Sequence, residues 1–231
     1  MRNNRIILIE FEVGRTASEV EHVTFIELIA PAGEGKSAIM DATTQVNPEY
    51  SLATSFTTRN REARDIPGAY RYFTTDEEIT GLLDRIDDQA VLQYVVHPTT
   101  HKLYGSMSED YRTNFVMLDT LFNNVDELDK LPFKAIYKIA VVSHGDEWAA
   151  RFLDRYPTAS EERTKRIGEA ILCLEWILAQ DPNVLFWLQN RPNQVTDAAH
   201  DLILMTKTAM PSQNLRVLAE EMHAEAEKIA A

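Results

Sequence analysis

The chain has 231 residues, of which 45% are apolar and 26% charged, and its formal net charge is −13. This length allows one large or two small domains with a sizeable core. The acidic balance argues against a nucleic-acid-binding protein, which needs a basic face. A single cysteine, Cys173, excludes an intramolecular disulfide and fits a reducing cytoplasm. Since no apolar run reaches the length of a signal-peptide core or membrane span, we expect a cytoplasmic protein with no membrane partner.

The first predicted element is a strand over residues 5–13, where a partly alternating, β-branched sequence fits an edge strand or one arm of a hairpin. We treat residues 1–22 as an N-terminal addition that carries this extra strand. The next strand, residues 23–29, is a continuous apolar run of the kind found in a buried strand.

Directly after the buried strand comes the sequence Ala-Pro-Ala-Gly-Glu-Gly-Lys-Ser, residues 30–37. A strand, a glycine-bearing loop, Gly-Lys-Ser and a helix in this order are typical of a phosphate-binding P-loop. Gly33 and Gly35 let backbone N–H groups turn onto phosphate oxygens, where a Cβ would interfere. The helix that follows, expected from about Ser37 to Thr44, directs its positive end at the same anion.

The P-loop assigns roles to its own residues. Lys36 would reach the β- and γ-phosphates of ATP, and the Ser37 hydroxyl would ligate Mg²⁺. One departure from the usual pattern is Ala30, which replaces the first glycine, and the alternative is a chance Gly-Lys-Ser in a surface turn. The loop residues predicted to bind ATP are Ala32, Gly33, Glu34, Gly35, Lys36 and Ser37.

A polar, hydroxyl-rich stretch, residues 50–64, follows the P-loop helix. It contains three arginines within six positions, namely Arg59, Arg61 and Arg64. Because a guanidinium group can clamp a phosphate with two parallel hydrogen bonds, the stretch predicts a second anion site. The alternative is a solvated loop with incidental charge.

The remainder of the chain alternates strands with helices. Strands are predicted at residues 70–73, 91–96, 103–106, 115–119, 133–142 and 184–188. A capping box at Thr75 and Glu78 predicts a helix that ends at about Ile86, and a second box at Thr158 and Glu161 predicts the start of another. Further helices are predicted over 146–156, over 195–205 and after Pro211, where Ser212 would be the cap. Leu215, Leu218, Met222, Ala226 and Ile229 share one face of the last helix, which should pack on the domain or on a second subunit.

This alternation predicts an α/β fold with three layers, α/β/α, and a mostly parallel central sheet. Ligands should then bind at the carboxyl ends of the strands. Asp119 ends one of these strands, where a carboxylate could help to hold Mg²⁺, although a turn or helix-cap role is equally compatible with the sequence.

Taken together, the motifs resemble the guanylate kinase family of P-loop nucleoside monophosphate kinases over about residues 23–203. The resemblance is carried by residues 30–37, Ser-Phe-Thr-Thr-Arg at 55–59, Tyr70, Leu-Tyr-Gly-Ser at 103–106, Arg155, Lys165 and Arg166. It implies ATP- and Mg²⁺-dependent phosphoryl transfer to a nucleoside monophosphate, with GMP favoured. It also implies a kinase-like domain at 23–205, with a nucleotide-binding lobe at about 50–106 and a lid at about 151–166, followed by a C-terminal helix at 211–231.

The same resemblance implies the roles of individual residues. Ser55 would meet the guanine edge, while Arg59 and either Arg61 or Arg64 would clamp the acceptor phosphate. The full set implied for GMP is Ser55, Arg59, Arg61, Tyr70, Gln93, Tyr104 and Ser106. Lys36, Arg155 and Arg166 would act on the transferring phosphoryl group, Asn190 would contact the adenine side, and Ser37 and Asp119 would hold the metal.

Two departures from the family pattern concern the acceptor. Gln93 stands where the family has a base-reading glutamate, and Leu121 replaces the second acidic residue of the strand end. An amide offers one acceptor and one donor group where a carboxylate offers two acceptors. The alternatives are therefore phosphorylation of a sugar phosphate, such as ribose 1,5-bisphosphate, or a catalytically inactive guanylate kinase-like module that binds proteins. The expected partners are ATP and a nucleoside monophosphate, with no nucleic acid, for a monomer or homodimer.

Overall fold

The computed structural model describes residues 17–63, 65, 68, 70–87, 91–97, 100–181, 184–210 and 213–231. The predicted strand at 5–13 and the predicted helix cap at Pro211 and Ser212 lie outside the described residues. The strands are β1 Thr24–Ile29, β2 Tyr50–Leu52, β3 Ser55–Thr57, β4 Tyr70–Tyr72, β5 Gln93–Val96, β6 Leu103–Ser106, β7 Phe115–Asp119, β8 Ala135–Val142 and β9 Phe186–Gln189. The helices are α1 Lys36–Val46, α2 Asp76–Asp87, α3 Val125–Leu128, α4 Gly145–Arg155, α5 Glu161–Ala179, α6 Val195–Thr208 and α7 Arg216–Ala230.

Five parallel strands form the central sheet in the order β2-β7-β1-β8-β9. All six residues of β1 are buried, because this strand lies in the middle of the sheet with helices on both faces. This explains why its sequence is a continuous apolar run instead of an alternating one. Leu28 of β1 pairs with Asp119 of β7, so the P-loop and the predicted acidic strand end leave the sheet at the same edge.

Helices cover both faces of this sheet. On one face α1 and α6 pack over Ile26, Leu28 and Met117. On the other face α4, α5 and α7 pack over Ile29, with Ala140 and Val142 in the same cluster. The predicted three-layer α/β/α fold with a mostly parallel sheet is therefore confirmed.

The C-terminal helix α7 packs on the same chain, against α4 and α5. Its buried residues are Leu218, Ala219, Met222 and Ala226, as the apolar stripe in the sequence predicted. Of the helices in the described ranges, none has the length and apolar character needed to cross a membrane.

A second, smaller sheet has the order β4-β3-β6-β5, with β3 and β4 parallel and the other pairs antiparallel. Its core contains Phe56, Leu82 of α2 and Met107. Gly105 is required there, since a Cβ at this position would lie 2.3 Å from a ring carbon of Phe56 and 2.4 Å from the Gln93 carbonyl oxygen.

The polar stretch at residues 50–64 contains two strands that the sequence analysis did not predict. β2 pairs with β7 at an edge of the central sheet, and β3 pairs with β4 and β6 in the small sheet. Each has only three residues, so neither shows the alternation that identifies a longer strand.

The two predicted capping boxes have different outcomes. At α2 the box is confirmed, because Thr75 Oγ1 accepts from the N–H of Glu78 (3.2 Å) and Glu78 Oε2 accepts from the N–H of Thr75 (3.0 Å). The box predicted at Thr158 is wrong. The N-cap of α5 is Ser160, whose side chain accepts from the N–H of Arg163 at 3.2 Å.

Candidate active site

A cleft of about 960 Å³ opens at the carboxyl ends of β1 and β7, and strands of the small sheet also line it. Most of the side chains singled out from the sequence are brought together on its wall. These are Ala32, Gly33, Glu34, Gly35, Lys36, Ser37, Ser55, Arg59, Arg61, Tyr70, Gln93, Tyr104, Asp119, Arg155 and Arg166. Ser106 and Asn190 do not line the cleft but contact residues that do.

Three carbonyl groups of the P-loop, those of Ala32, Gly33 and Glu34, accept hydrogen bonds from side chains of α4 and from Asn190. The donors are Trp148 Nε1 to Ala32 O (3.0 Å), Arg151 Nε to Gly33 O (3.1 Å) and Asn190 Nδ2 to Glu34 O (2.6 Å). In a trans peptide the N–H points opposite to the preceding carbonyl, and the described peptide bonds of this loop are trans. The N–H groups of Gly33 and Gly35 therefore point in the opposite direction, as in a backbone anion nest, whereas the N–H of Glu34 donates to Pro31 O at 3.4 Å.

Both glycines of the loop are required by its geometry. Gly33 and Gly35 have φ angles of 86° and 88°, which side chains rarely tolerate. A Cβ on Gly35 would lie 2.6 Å from Asn190 Nδ2, and a Cβ on Gly33 would lie 3.3 Å from the Cα of Phe152. The close approach of α4 and of Asn190 thus depends on glycine at both positions.

The Glu34 side chain is fully buried behind the loop. Its Oε2 accepts from Ser143 Oγ (2.9 Å) and from Arg151 Nη2 (2.8 Å). Burial raises the pKa of Glu34 to about 8, although Arg151 and Ser143 oppose this shift. The sequence analysis placed Glu34 in the ATP site, and the structure shows that its carboxylate joins the loop to α4.

Lys36 and Asp119 meet where the P-loop ends. Lys36 Nζ donates to Ala30 O at 2.5 Å and lies 3.4 Å from Asp119 Oδ1. Helix α1 begins at Lys36 without a side-chain cap, so its first N–H groups and its positive end are available to a ligand. A cationic side chain, a helix N-terminus and a backbone nest therefore converge at one point, which is suited to a polyphosphate.

Two oxygen groups that could ligate a metal lie beside this point. The exposed Ser37 hydroxyl and the Asp119 carboxylate, whose side chain is 39% exposed, both face the cleft. Within the described ranges, no three or more His, Cys, Asp or Glu side chains are grouped so that they could hold a metal ion. This donor set fits Mg²⁺, which commonly uses one or two protein oxygens and takes its other ligands from water and phosphates.

On the small-sheet side, Gln93 presents an acceptor without a partner. The residue is 3% exposed, and its Nε2 donates to Ser106 Oγ at 3.1 Å. Ser106 Oγ in turn lies 2.8 Å from Tyr111 Oη. Among the described residues Gln93 Oε1 has no hydrogen-bond partner, so a ligand group that donates an N–H or O–H would satisfy it.

Arg59 lies on the same side but is already ion-paired. Its Nη1 and Nη2 donate to the two carboxylate oxygens of Asp65 at 2.8 and 2.6 Å. Arg61 is exposed on the cleft wall, whereas Arg64 is outside the described residues.

The two arginines predicted to act on the transferring phosphoryl group reach the cleft from α4 and α5. Arg155 is exposed, with its guanidinium 5.5 Å from the ring centroid of Tyr156. Arg166 Nη1 donates to Glu169 Oε2 at 2.8 Å and lies 3.5 Å from His97 Nε2. Burial, with a further contribution from Arg166, lowers the pKa of His97 to about 4. His97 is thus neutral near pH 7 and does not repel the arginine.

Several residues of the site were missed in the sequence analysis, namely Asp65, Tyr111, Ser143, Trp148 and Arg151. For Trp148 and Arg151 a signal existed, because they precede Arg155 on α4 by seven and four residues, which places all three on one helix face. Asp65, Tyr111 and Ser143 belong to no motif. Their partners are defined by folding alone.

No protein-family model matches the chain, and no curated protein matches it. Among solved structures it is similar to guanylate kinase from Anaplasma phagocytophilum, with 12% identity, a TM-score of 0.54, and coverage of 86% of this chain and 93% of that chain. A weaker match is HypB from Helicobacter pylori in complex with nickel, with 10% identity, a TM-score of 0.34, and coverage of 86% of this chain and 96% of that chain. Another is a fungal RNA kinase, with 11% identity, a TM-score of 0.35, and coverage of 89% of this chain and 97% of that chain. At these identities the first match establishes the P-loop kinase-like fold, and the two weaker ones add nothing to it.

Proposed function

We propose that this protein transfers the γ-phosphoryl group of Mg-ATP to a nucleoside monophosphate, with GMP as the favoured acceptor. The observation that carries the proposal is the P-loop itself. The carbonyls of Ala32, Gly33 and Glu34 are hydrogen-bonded to side chains outside the loop, and Lys36, Ser37 and Asp119 line the cleft beside them. Such an arrangement is difficult to explain except as a polyphosphate site.

Phosphoryl transfer needs positioning and positive charge more than covalent chemistry from the protein. In the proposed reaction Lys36 contacts the β- and γ-phosphates, and Arg155 and Arg166 stabilise negative charge on the transferring group. Ser37 and Asp119 would hold Mg²⁺, which would supply positive charge beside the phosphates. On the opposite wall Ser55, Gln93 and the tyrosines of the small sheet would receive the acceptor.

A sugar phosphate is a second candidate acceptor, and the observation that favours it is Gln93. A carboxylate at this position would accept two N–H groups from guanine, whereas Gln93 has one acceptor oxygen, which has no partner within the described ranges. A sugar hydroxyl could satisfy that oxygen as well as a base N–H could. The two acceptor classes therefore have to be separated by measurement.

The first test is a phosphotransfer screen with purified protein and Mg-ATP. The acceptors are GMP, dGMP, AMP, UMP, CMP, dTMP and ribose 1,5-bisphosphate, and formation of ADP and of the phosphorylated acceptor is measured. We expect turnover with GMP and loss of turnover in Lys36→Ala, because the substitution removes the cation at the β- and γ-phosphates. Lys228→Ala, at an exposed position of α7, removes the same charge away from the cleft and should retain the wild-type rate.

Thermal melts with Mg-ATP show whether the protein binds ATP, independently of whether it phosphorylates an acceptor. A ligand at 100 times its Kd stabilises the folded state by about 2.7 kcal/mol, which raises the melting temperature measurably. Turnover of another acceptor would preserve the reaction and change the substrate. A protein that binds ATP but phosphorylates nothing in the panel would contradict the proposal and favour a binding module. Wild-type turnover in Lys36→Ala would show that the P-loop assignment is wrong.

A further inference from the structure

The Asp65 carboxylate accepts hydrogen bonds from four donors. They are Arg59 Nη1 (2.8 Å), Arg59 Nη2 (2.6 Å), Tyr72 Oη (2.6 Å) and the backbone N–H of Glu62 (2.7 Å). The Asp65 side chain is only 7% exposed. The Arg59 guanidinium holds the pKa of Asp65 well below its usual range, so the carboxylate is ionised throughout the neutral range. Nothing in the sequence pattern pointed to this residue.

These contacts use a defined part of the Arg59 guanidinium, which has five N–H donors. Both hydrogens of Nη1 are engaged, one by Asp65 and one by the carbonyl of Asn60 at 2.9 Å. One hydrogen of Nη2 is engaged by Asp65. The donors that Asp65 and Asn60 do not use are the Nε–H and the second Nη2–H, which lie side by side on one edge of the planar group. Such an edge matches two oxygens of a phosphate.

The faces of the guanidinium are also restrained. Its central carbon lies 4.8 Å from the ring centroid of Tyr70 and 5.8 Å from that of Tyr72. Arg59 is 15% exposed, and Arg59, Asp65 and Tyr70 all line the cleft. A long side chain that is usually flexible is therefore held by ion pairs with Asp65 and Glu62 and by two aromatic rings.

We propose that Asp65 is a positioning residue, which fixes Arg59 so that its Nε/Nη2 edge receives the phosphate of the acceptor. The inference rests on the proposed function, because it assigns the contact partner of that acceptor. It adds a residue of the small-sheet region to the site, and it states which edge of Arg59 binds. Asp65 itself does not touch the acceptor.

A competing interpretation is that Asp65 occupies the phosphate position and has to be displaced. The geometry favours positioning, because Asp65 takes the Nη1/Nη2 edge and leaves the neighbouring edge available. Asp65 is also held by Tyr72 and by the Glu62 backbone, neither of which would need to change when a phosphate binds at the other edge. The two interpretations predict opposite changes in the KM of the acceptor.

The test is Asp65→Asn, which keeps the shape but replaces one acceptor oxygen with an NH₂ group facing an Arg59 donor. We expect the KM for the phosphorylated acceptor to rise about tenfold or more, since small misplacements of a binding group have effects of this size. The KM for ATP and kcat should stay within about threefold, because uniform acceptor binding is what is lost. Asp84→Asn, at an exposed position of α2, removes the same charge and should behave as wild type.

Tyr72→Phe is a milder variant for the case in which Asp65→Asn does not fold. It removes one donor to Asp65 while keeping the ring beside Arg59, and a smaller rise in the same KM is expected. An unchanged acceptor KM in both variants would overturn the inference. A lower acceptor KM would also overturn it and would identify Asp65 as a competitor of the substrate.

A binding measurement separates failure of this inference from failure of the proposed reaction. In the Lys36→Ala protein, whose P-loop cation is missing, inorganic phosphate should raise the melting temperature relative to chloride at equal ionic strength. Adding Asp65→Asn or Tyr72→Phe should reduce that shift. Equal phosphate shifts with and without these substitutions would contradict the role of Asp65 even if no acceptor is ever phosphorylated. Absence of any shift in Lys36→Ala would contradict it too.

Discussion

At the scale of the residue, Gln93 shows how two side chains of nearly the same shape can present different chemistry. Its Nε2 is committed to Ser106, whose hydroxyl lies 2.8 Å from that of Tyr111. A glutamate at this position could keep the network, because the Ser106 hydroxyl can rotate and donate instead of accept. The cleft would then contain a second acceptor oxygen in place of a donor.

We predict that Gln93→Glu raises the preference for GMP over the other monophosphates by about tenfold, since an unmatched buried polar group costs about 1–3 kcal/mol. The measurement is the ratio of kcat/KM values for GMP and for each competitor. Gln213→Glu, at an exposed position near α7, adds the same charge and should not change these ratios. An unchanged preference in Gln93→Glu would mean that this side chain does not face the base.

At the scale of the element, helix α4 connects the P-loop to the remainder of the molecule. Trp148 and Arg151 bond the loop carbonyls, and Phe152 lies beside Gly33. The helix begins at Gly145, where the backbone of α7 approaches closely. A Cβ at Gly145 would lie 2.6 Å from the carbonyl oxygen of Glu221. The position of the P-loop thus depends on a contact between α4 and α7.

Two glycine-to-alanine substitutions test this contact. Replacing glycine with alanine in a helix stabilises it by about 1 kcal/mol through backbone entropy. Gly168→Ala in α5, where a Cβ would meet nothing within 4 Å, should show this gain. Gly145→Ala should instead lower the free energy of unfolding by about 1–3 kcal/mol, because the backbone of α7 has to move. Urea denaturation of both variants measures the difference, and a gain in Gly145→Ala would show that α7 is not closely packed there.

At the scale of the whole molecule, the folded state carries a carboxyl group that is poorly matched to its surroundings. Glu27 is fully buried in the middle of β1, and among the described residues neither of its carboxylate oxygens has a hydrogen-bond partner. Burial raises its pKa to about 8; Asp129 and Asp126 raise it further, and Lys138 lowers it. Between its ordinary value of 4.5 and about 8, the folded protein therefore binds a proton that the unfolded chain has lost.

Global stability should consequently fall as the pH rises through this window. We predict that Glu27→Gln removes its share of the fall, so that the stability of the variant relative to wild type increases by up to about 1.4 kcal/mol per pH unit. Urea denaturation at pH 5, 6.5 and 8 provides the measurement. Glu77→Gln, at an exposed position of α2, is the control and should give a difference that does not depend on pH. The same flat difference in Glu27→Gln would show that Glu27 is ionised in the folded state.

Local features of the sequence were sufficient to predict the fold class and part of the candidate site. The P-loop, the buried strand before it and the apolar face of α7 each depend on residues that are adjacent or separated by one helical turn. Their physical causes are glycine conformation, burial on both sheet faces and helical periodicity. The three-layer fold followed from the alternation of these elements, and the structure confirms it.

The remaining features depend on residues that meet only after folding. β2 and β3 are too short to be recognised alone and exist because distant strands pair with them. The hydrogen bonds from Arg151 and Asn190 to the P-loop, and the contact of Tyr111 with Ser106, likewise form only when folding brings these residues together.

What the sequence by itself determined was therefore the fold class, a loop sequence typical of a P-loop and the residue types around it. What only the tertiary structure decided was which polar groups already have partners. Arg59, bonded to Asp65, and Gln93, whose Oε1 has no partner in the described part of the chain, cannot be told apart from other arginines and glutamines in the sequence. The physical reason is that burial sets the strength of an ion pair or hydrogen bond, and burial depends on the packing of the whole chain.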